Sequence, residues 1–155
     1  MISVIKKKIK QISSMIKVKE AFFAQEMAKL VTLKEERNHS LSNLNQQQKL
    51  YITGVDKLNR LRSDPARQGL EFYEESIDLV KNAWISHHKA YQYIDKAVKQ
   101  QGHVVIEIKR QIDGIEKLKL QYEHDLMSFL DKKEQEYLDE ITQRKSYLER
   151  KNTVS

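Results

Sequence analysis

Between Leu70 and Phe129 large residues recur at alternating steps of three and four. One row runs Leu70, Ile77, Trp84, Tyr91, Val98, Val105, Ile112, Lys119, Leu126, and the other Tyr73, Val80, His87, Ile94, Gln101, Ile108, Ile115, Tyr122, Phe129. Only His87, Gln101 and Lys119 interrupt the apolar and aromatic character. A seam held over so many heptads predicts a coiled coil rather than a globular helix. Sixty residues of helix extend about 90 Å at about 1.5 Å per residue, so the remainder of the chain is read as a partner for a rod.

That partner lies N-terminal to it. Ile2, Ile5, Ile9, Ile12 and Ile16 form a helical stripe, which Val4, Met15 and Val18 widen. A second phase starts at Phe23 and continues through Met27, Leu30, Lys34, Arg37, Leu41, Leu44, Gln48, Tyr51, Val55 and Leu58. The two phases do not join between Ile16 and Phe23, which predicts a stutter. Between Asn38 and Gln48 Asn, Gln and Ser dominate; they hydrogen-bond locally and bury little.

One strong punctuation mark separates the arms, Ser63-Asp64-Pro65-Ala66. Asp before Pro suits an N-cap followed by the first helical residue. The expected fold is therefore all-α, a long antiparallel two-helix coiled-coil hairpin forming a single domain over 1–155, with a helix over 2–62, a turn at 63–66 and a helix over 66–150. A turn centred on residue 64 makes the numbers of facing residues sum to about 128. Leu58 then faces Leu70, Tyr51 faces Ile77, Leu44 faces Trp84, Leu30 faces Val98 and Phe23 faces Val105. The N-terminal arm runs out opposite residue 127, leaving Leu130, Tyr137, Ile141 and Leu148 on an overhang with no internal partner.

Composition narrows what such a hairpin does. The chain has 155 residues, 32% charged, with 4 Gly and 1 Pro, fewer turn residues than a compact domain carries. With no Cys there is no disulfide framework, thiol nucleophile or thiolate metal site. Lys6, Lys7, Lys8 and Lys10 break up the apolar residues of the N-terminus, so a secretory signal is not expected there. No run approaches the ~20 apolar residues of a membrane span, and a cytoplasmic protein, peripheral to a membrane at most, is expected. Residues 1–62 carry 13 Lys/Arg against 5 Asp/Glu, a charge of +8, and the remainder is −2. A basic arm lying against a mildly acidic one accounts for that asymmetry. A basic coiled coil that binds nucleic acid is the rival reading.

Catalytic chemistry has no constellation to stand on. His39, His87, His88, His103 and His124 make no i, i+4 pair, no phosphate-binding Gly-rich loop occurs, and a two-helix surface offers no cleft to desolvate a carboxylate pair. No enzyme activity, cofactor or metal is expected. The informative residues are apolar ones off the seam: counting Leu70 as position a, Phe72, Leu79 and Tyr93 fall at c and Ile85 at b. Those outer positions face water on a two-stranded coil, so the four read as a docking stripe for another protein.

The opening Ile2–Ile16 stripe, the mid-chain Asp64-Pro65 turn and the Leu70–Phe129 seam together resemble the FliJ/YscO family, the stalk proteins of flagellar and virulence-associated type III secretion. The likeness is architectural and spans the chain; the shaft of rotary ATPases gives a similar trace. It implies a cytoplasmic, non-enzymatic adaptor whose paired termini insert into a hexameric export ATPase, here Ile2, Ile5 and Ile9 with Leu130, Tyr137, Ile141 and Leu148. It further implies that the hairpin, here Phe72, Leu79, Ile85 and Tyr93, contacts the export gate's cytoplasmic domain or secretion chaperones. A homo-oligomeric structural coiled coil is the third alternative.

Overall fold

A computed structural model describes residues 1–154. Two helices, α1 (Ile2–Ser63) and α2 (Leu70–Val154), pack against each other as an all-helical hairpin. The residues group into two compact units, one of 23–107, which holds the connection, and one of 1–22 with 108 onward.

The second helix begins at Leu70, four residues later than the expected 66. Asp64 Oδ1 accepts a hydrogen bond from the Ala66 N–H at 3.0 Å, so the Asp-Pro pair caps a local turn and not the helix. The chain then enters the left-handed region at Arg67 (φ 44°) and Gly69 (φ 72°), which no α-helix can run through. Helical bonding starts where the Tyr73 N–H donates to the Gly69 carbonyl at 3.0 Å. Nothing stands near a side chain added at Gly69; its backbone angle, not space, calls for glycine.

Along α2 the expected seam is covered at every position except Phe129, which is exposed. Along α1 the outcome differs. From Ile16 the covered row continues without a break through Lys19, Phe23, Glu26, Leu30, Leu33 and Arg37, and then through Ser40, Leu44, Gln47, Tyr51 and Gly54. There is no stutter. The expected inner residues Met27, Lys34, Leu41 and Gln48 are exposed, and Glu26, Leu33, Ser40 and Gln47 take their places one residue earlier. Val4, Met15 and Val18 do not widen the N-terminal stripe either, because all three are exposed.

Three of these non-apolar inner positions show how they are accommodated. Glu26 is buried, and the Gln101 side-chain amide donates both to its Oε2 at 2.7 Å and to its backbone carbonyl at 2.9 Å. Lys29 closes the arrangement at 2.9 Å from Oε1. Arg37 reaches out to Asp95 at 3.4 Å, so its charge is paired at the edge of the seam. Gly54 makes room for Ile77: a Cβ there would lie 3.3 Å from Ile77 Cγ1.

The register is also displaced. In unit 23–107, Gly54 opposes Ile77, Lys57 lies over the Tyr73 ring and Arg37 meets Asp95, so paired numbers sum to 131, 130 and 132. In the other unit Lys19 donates to Gln111 and Lys8 lies over the Tyr122 ring, and both sums are 130. A connection of 64–69 instead of 63–66 moves the pairing by about three residues from 128. Residues of one row then face the other row of the partner helix. Leu30, Val98 and Val105 still share a buried cluster with Phe23, Leu33 and Ile94 around them. Trp84, expected opposite Leu44, stacks instead on Tyr51, with ring centroids 5.6 Å apart and planes at 15°.

That stack lies next to the Asn/Gln-rich stretch, where little else is apolar, so its removal should be felt. Trp84→Ala is expected to cost roughly 2–3 kcal/mol, less than the ~3–5 kcal/mol of a fully buried Trp because the ring is half-buried. Urea unfolding checks it. A loss under about 0.5 kcal/mol, the size of a surface substitution, would contradict the seam position.

Candidate interaction surfaces

The hairpin closes its own core, so candidate sites are found on what it leaves outside. In unit 23–107, Phe72, Leu79 and Tyr93 repeat at multiples of seven on α2, putting them on one face opposite the seam. They are 72%, 71% and 78% exposed, and no other apolar residues of their size in that unit are as open. Ile85 does not join them: it sits about 100° around the helix and is 39% exposed. The exposed apolar row is therefore Phe72, Leu79 and Tyr93.

In the unit of 1–22 with 108 onward, Ile2, Ile5 and Ile9 are not a free surface. Ile5 is buried, as are Ile12, Ile16, Ile108 and Ile112, and Ile2 and Ile9 are half-buried in the same seam. What the N-terminal segment does expose is a row of Val4, Met15 and Val18, expected to widen the core stripe, together with Phe22, at steps of eleven, three and four. Those steps are themselves helical and could have been recognised once the Ile stripe was assigned inward. On α2, Leu130, Tyr137, Ile141 and Leu148 are all exposed, as is every described side chain over 131–152.

No family model, curated protein sequence or solved structure matches this chain.

The ionisable groups are arranged to hold the hairpin. Hydrogen bonds from Gln101 and then Lys29 keep the Glu26 carboxyl below its ordinary value of 4.5. Asp95 is lowered chiefly by the hydrogen bond and charge of Lys99, with Arg37 adding to both. A stabilised carboxylate is the reverse of the raised carboxyl that a general acid needs. Among the described residues no three His, Cys, Asp or Glu side chains gather closely enough to hold a metal ion. Shallow depressions between Asn38, Leu41, Asn45 and Lys49 on α1, and between Gln143, Arg144, Tyr147 and Leu148 and between Asp125, Ser128, Phe129 and Lys132 on α2, are each lined by one helix and lie open to solvent. Of the six N-terminal lysines, Lys8 and Lys19 are engaged with α2, while Lys6, Lys7, Lys10 and Lys17 are exposed. No helix among the described residues is long and apolar enough to cross a membrane.

Because both carboxyls are lowered on folding, they favour the folded state above the unfolded value, and that contribution is lost as pH falls through the lower folded values. Urea stability is expected to hold from neutrality down to about 4.5 and to decline below it, less steeply in a Glu26→Gln, Asp95→Asn double variant. An identical acid profile in that variant would show that these two groups do not set it.

Proposed function

We propose that this chain is a non-enzymatic adaptor, the stalk of a type III protein secretion apparatus, linking a hexameric export ATPase to the export gate and to secretion chaperones. The observation that carries the reading is that α2, with its seam already satisfied by α1, still presents large apolar side chains, among them Phe72, Leu79 and Tyr93 and those of the stretch 130–148. Apolar positions on an outer helix face are what partner proteins use as anchors. A helical hairpin with such anchors supplies position and specificity, not chemistry. The likeness to FliJ/YscO proteins in helix order, charge placement and length supports the choice of partners.

On this reading the ATPase end is Leu130, Tyr137, Ile141 and Leu148 together with the exposed Val4, Met15, Val18 and Phe22. The seam isoleucines Ile2, Ile5 and Ile9 act by holding α1 in place. Deleting 130–155 removes side chains that are exposed throughout their described length. Helical signal per residue and unfolding free energy should therefore stay within about 0.5 kcal/mol of the full chain, while association with a type III export ATPase is lost. A truncated chain that binds and stimulates the ATPase as the full chain does would overturn the assignment.

A further inference from the structure

Beyond the hairpin seam, α2 carries a second heptad row over 120–148. Leu120, Met127, Leu130, Tyr137, Ile141 and Leu148 follow it at steps of seven, three, seven, four and seven, and Glu123, Glu134 and Arg144 complete it. The six apolar members are between 41 and 64% exposed. The row is one residue out of phase with the hairpin seam and four heptads long, enough to sustain a coiled coil. We propose that a second copy of this chain covers it, the two α2 segments pairing antiparallel.

Charge complementarity selects both the partner and the direction. In a parallel pair Glu123, Glu134 and Arg144 would each face their own kind, which repels. In an antiparallel pair Glu123 faces the partner's Arg144, twice. The hairpin supplies the geometry for checking this register. Glu26 and Gln101, each the second residue of a three-residue step, hydrogen-bond with numbers summing to 127. Arg62 and Glu74, each one place beyond such a residue, pair at 3.3 Å with numbers summing to 136, nine more. In the proposed dimer Glu123 and Arg144 hold the first kind of position and sum to 267. Asp131 and Lys145 hold the second kind and sum to 276, again nine more. One register thus satisfies two independent pairs of opposite charge. It also sets Leu130 against the partner's Tyr137 and brings exposed Leu138 onto its own copy. The single unfavourable element is Glu134, which approaches the partner's Glu134 near the two-fold axis.

The dimer covers Leu130, Tyr137, Ile141 and Leu148, the residues assigned above to the ATPase, so the paired form is a stored state that must separate before the stalk engages. The pairing itself does not rest on the ATPase reading, and its test uses this chain alone.

Sedimentation equilibrium of the full chain should give a monomer–dimer equilibrium. Arg144→Glu and Glu123→Arg should each weaken it by at least about tenfold, because two charge pairs become repulsive. The double variant Glu123→Arg, Arg144→Glu should restore it to within about threefold, and Glu134→Leu should tighten it. All three sites are exposed or at the margin of the seam, so circular dichroism should be unchanged and serves as the folding control. A chain that stays monomeric at all concentrations overturns the proposal. So does a dimer indifferent to the single reversals, or one that the double variant fails to restore.

Discussion

Ile112→Ala is expected to be among the most damaging conservative substitutions in the chain, at roughly 3 kcal/mol. Ile112 is 2% exposed, and Ile108 beside it is 4% exposed. They lie in the unit of 1–22 with 108 onward, whose remaining buried residues are Ile5, Ile12 and Ile16. Truncating a buried Ile removes its transfer free energy and leaves a void, together costing about 2–5 kcal/mol. On a two-helix surface no third layer of side chains is available to refill it. Ile112→Asp should cost more, because a carboxylate would be desolvated with no partner. Ile106→Ala is the control: Ile106 is on the same helix but 56% exposed, and it should stay within about 0.5 kcal/mol. Urea unfolding of the three variants checks the ranking. Equal effects at 106 and 112 would mean that the seam has been placed on the wrong face.

Much of the fold is legible in the sequence because α2 spells its seam in large residues. The row from Leu70 to Leu126 is covered as its spacing requires, and even its polar members His87, Gln101 and Lys119 are half-buried. α1 is less legible for a definite reason. Its inner row uses Lys19, Glu26, Arg37, Ser40, Gln47 and Gly54, while Met27 and Leu41 point outward. Following hydrophobicity alone therefore pulls the phase one residue late. The correct phase depends on partners that spacing does not show: the Gln101 amide on Glu26, the Asp95 carboxylate on Arg37, the Ile77 side chain against Gly54. The connection was misjudged in the same way. Asp64-Pro65 marks the end of α1, but the left-handed Arg67 and Gly69 decide where α2 can start, and that delay moves the register from 128 to about 131.

The candidate surfaces divide similarly. Phe72, Leu79 and Tyr93 could be picked out because the phase of α2 was secure, so any large apolar residue at an outer position was conspicuous. Ile85 joins them in the sequence only because b is also an outer position, and at 39% exposed it is far more covered than the three at c. The Val4, Met15, Val18 and Phe22 row was hidden by five isoleucines on the adjacent face. Ile2, Ile5 and Ile9, expected to meet a partner, turned out to be the hairpin's own core.

The second large effect concerns binding. Phe72, Leu79 and Tyr93 contribute little to the hairpin's internal burial, so replacing all three by Ala should leave helical signal and unfolding midpoint nearly unchanged, within about 0.5 kcal/mol each. Aromatic and aliphatic anchors at the centre of an interface often cost about 2 kcal/mol or more when truncated, about thirtyfold in affinity for one such residue. Lys6, Lys7 and Lys10 should behave differently. Being exposed charges, they act mainly on salt-sensitive association and less on the strength of the docked state.

On the proposed stalk reading, the most direct test is a titration of the Phe72→Ala, Leu79→Ala, Tyr93→Ala variant against the cytoplasmic domain of a type III export gate and against secretion chaperones, with circular dichroism alongside. The account predicts an intact helical signal with affinity for at least one of these partners reduced by about thirtyfold or more. Unchanged affinity for all of them by a fully folded variant would contradict it.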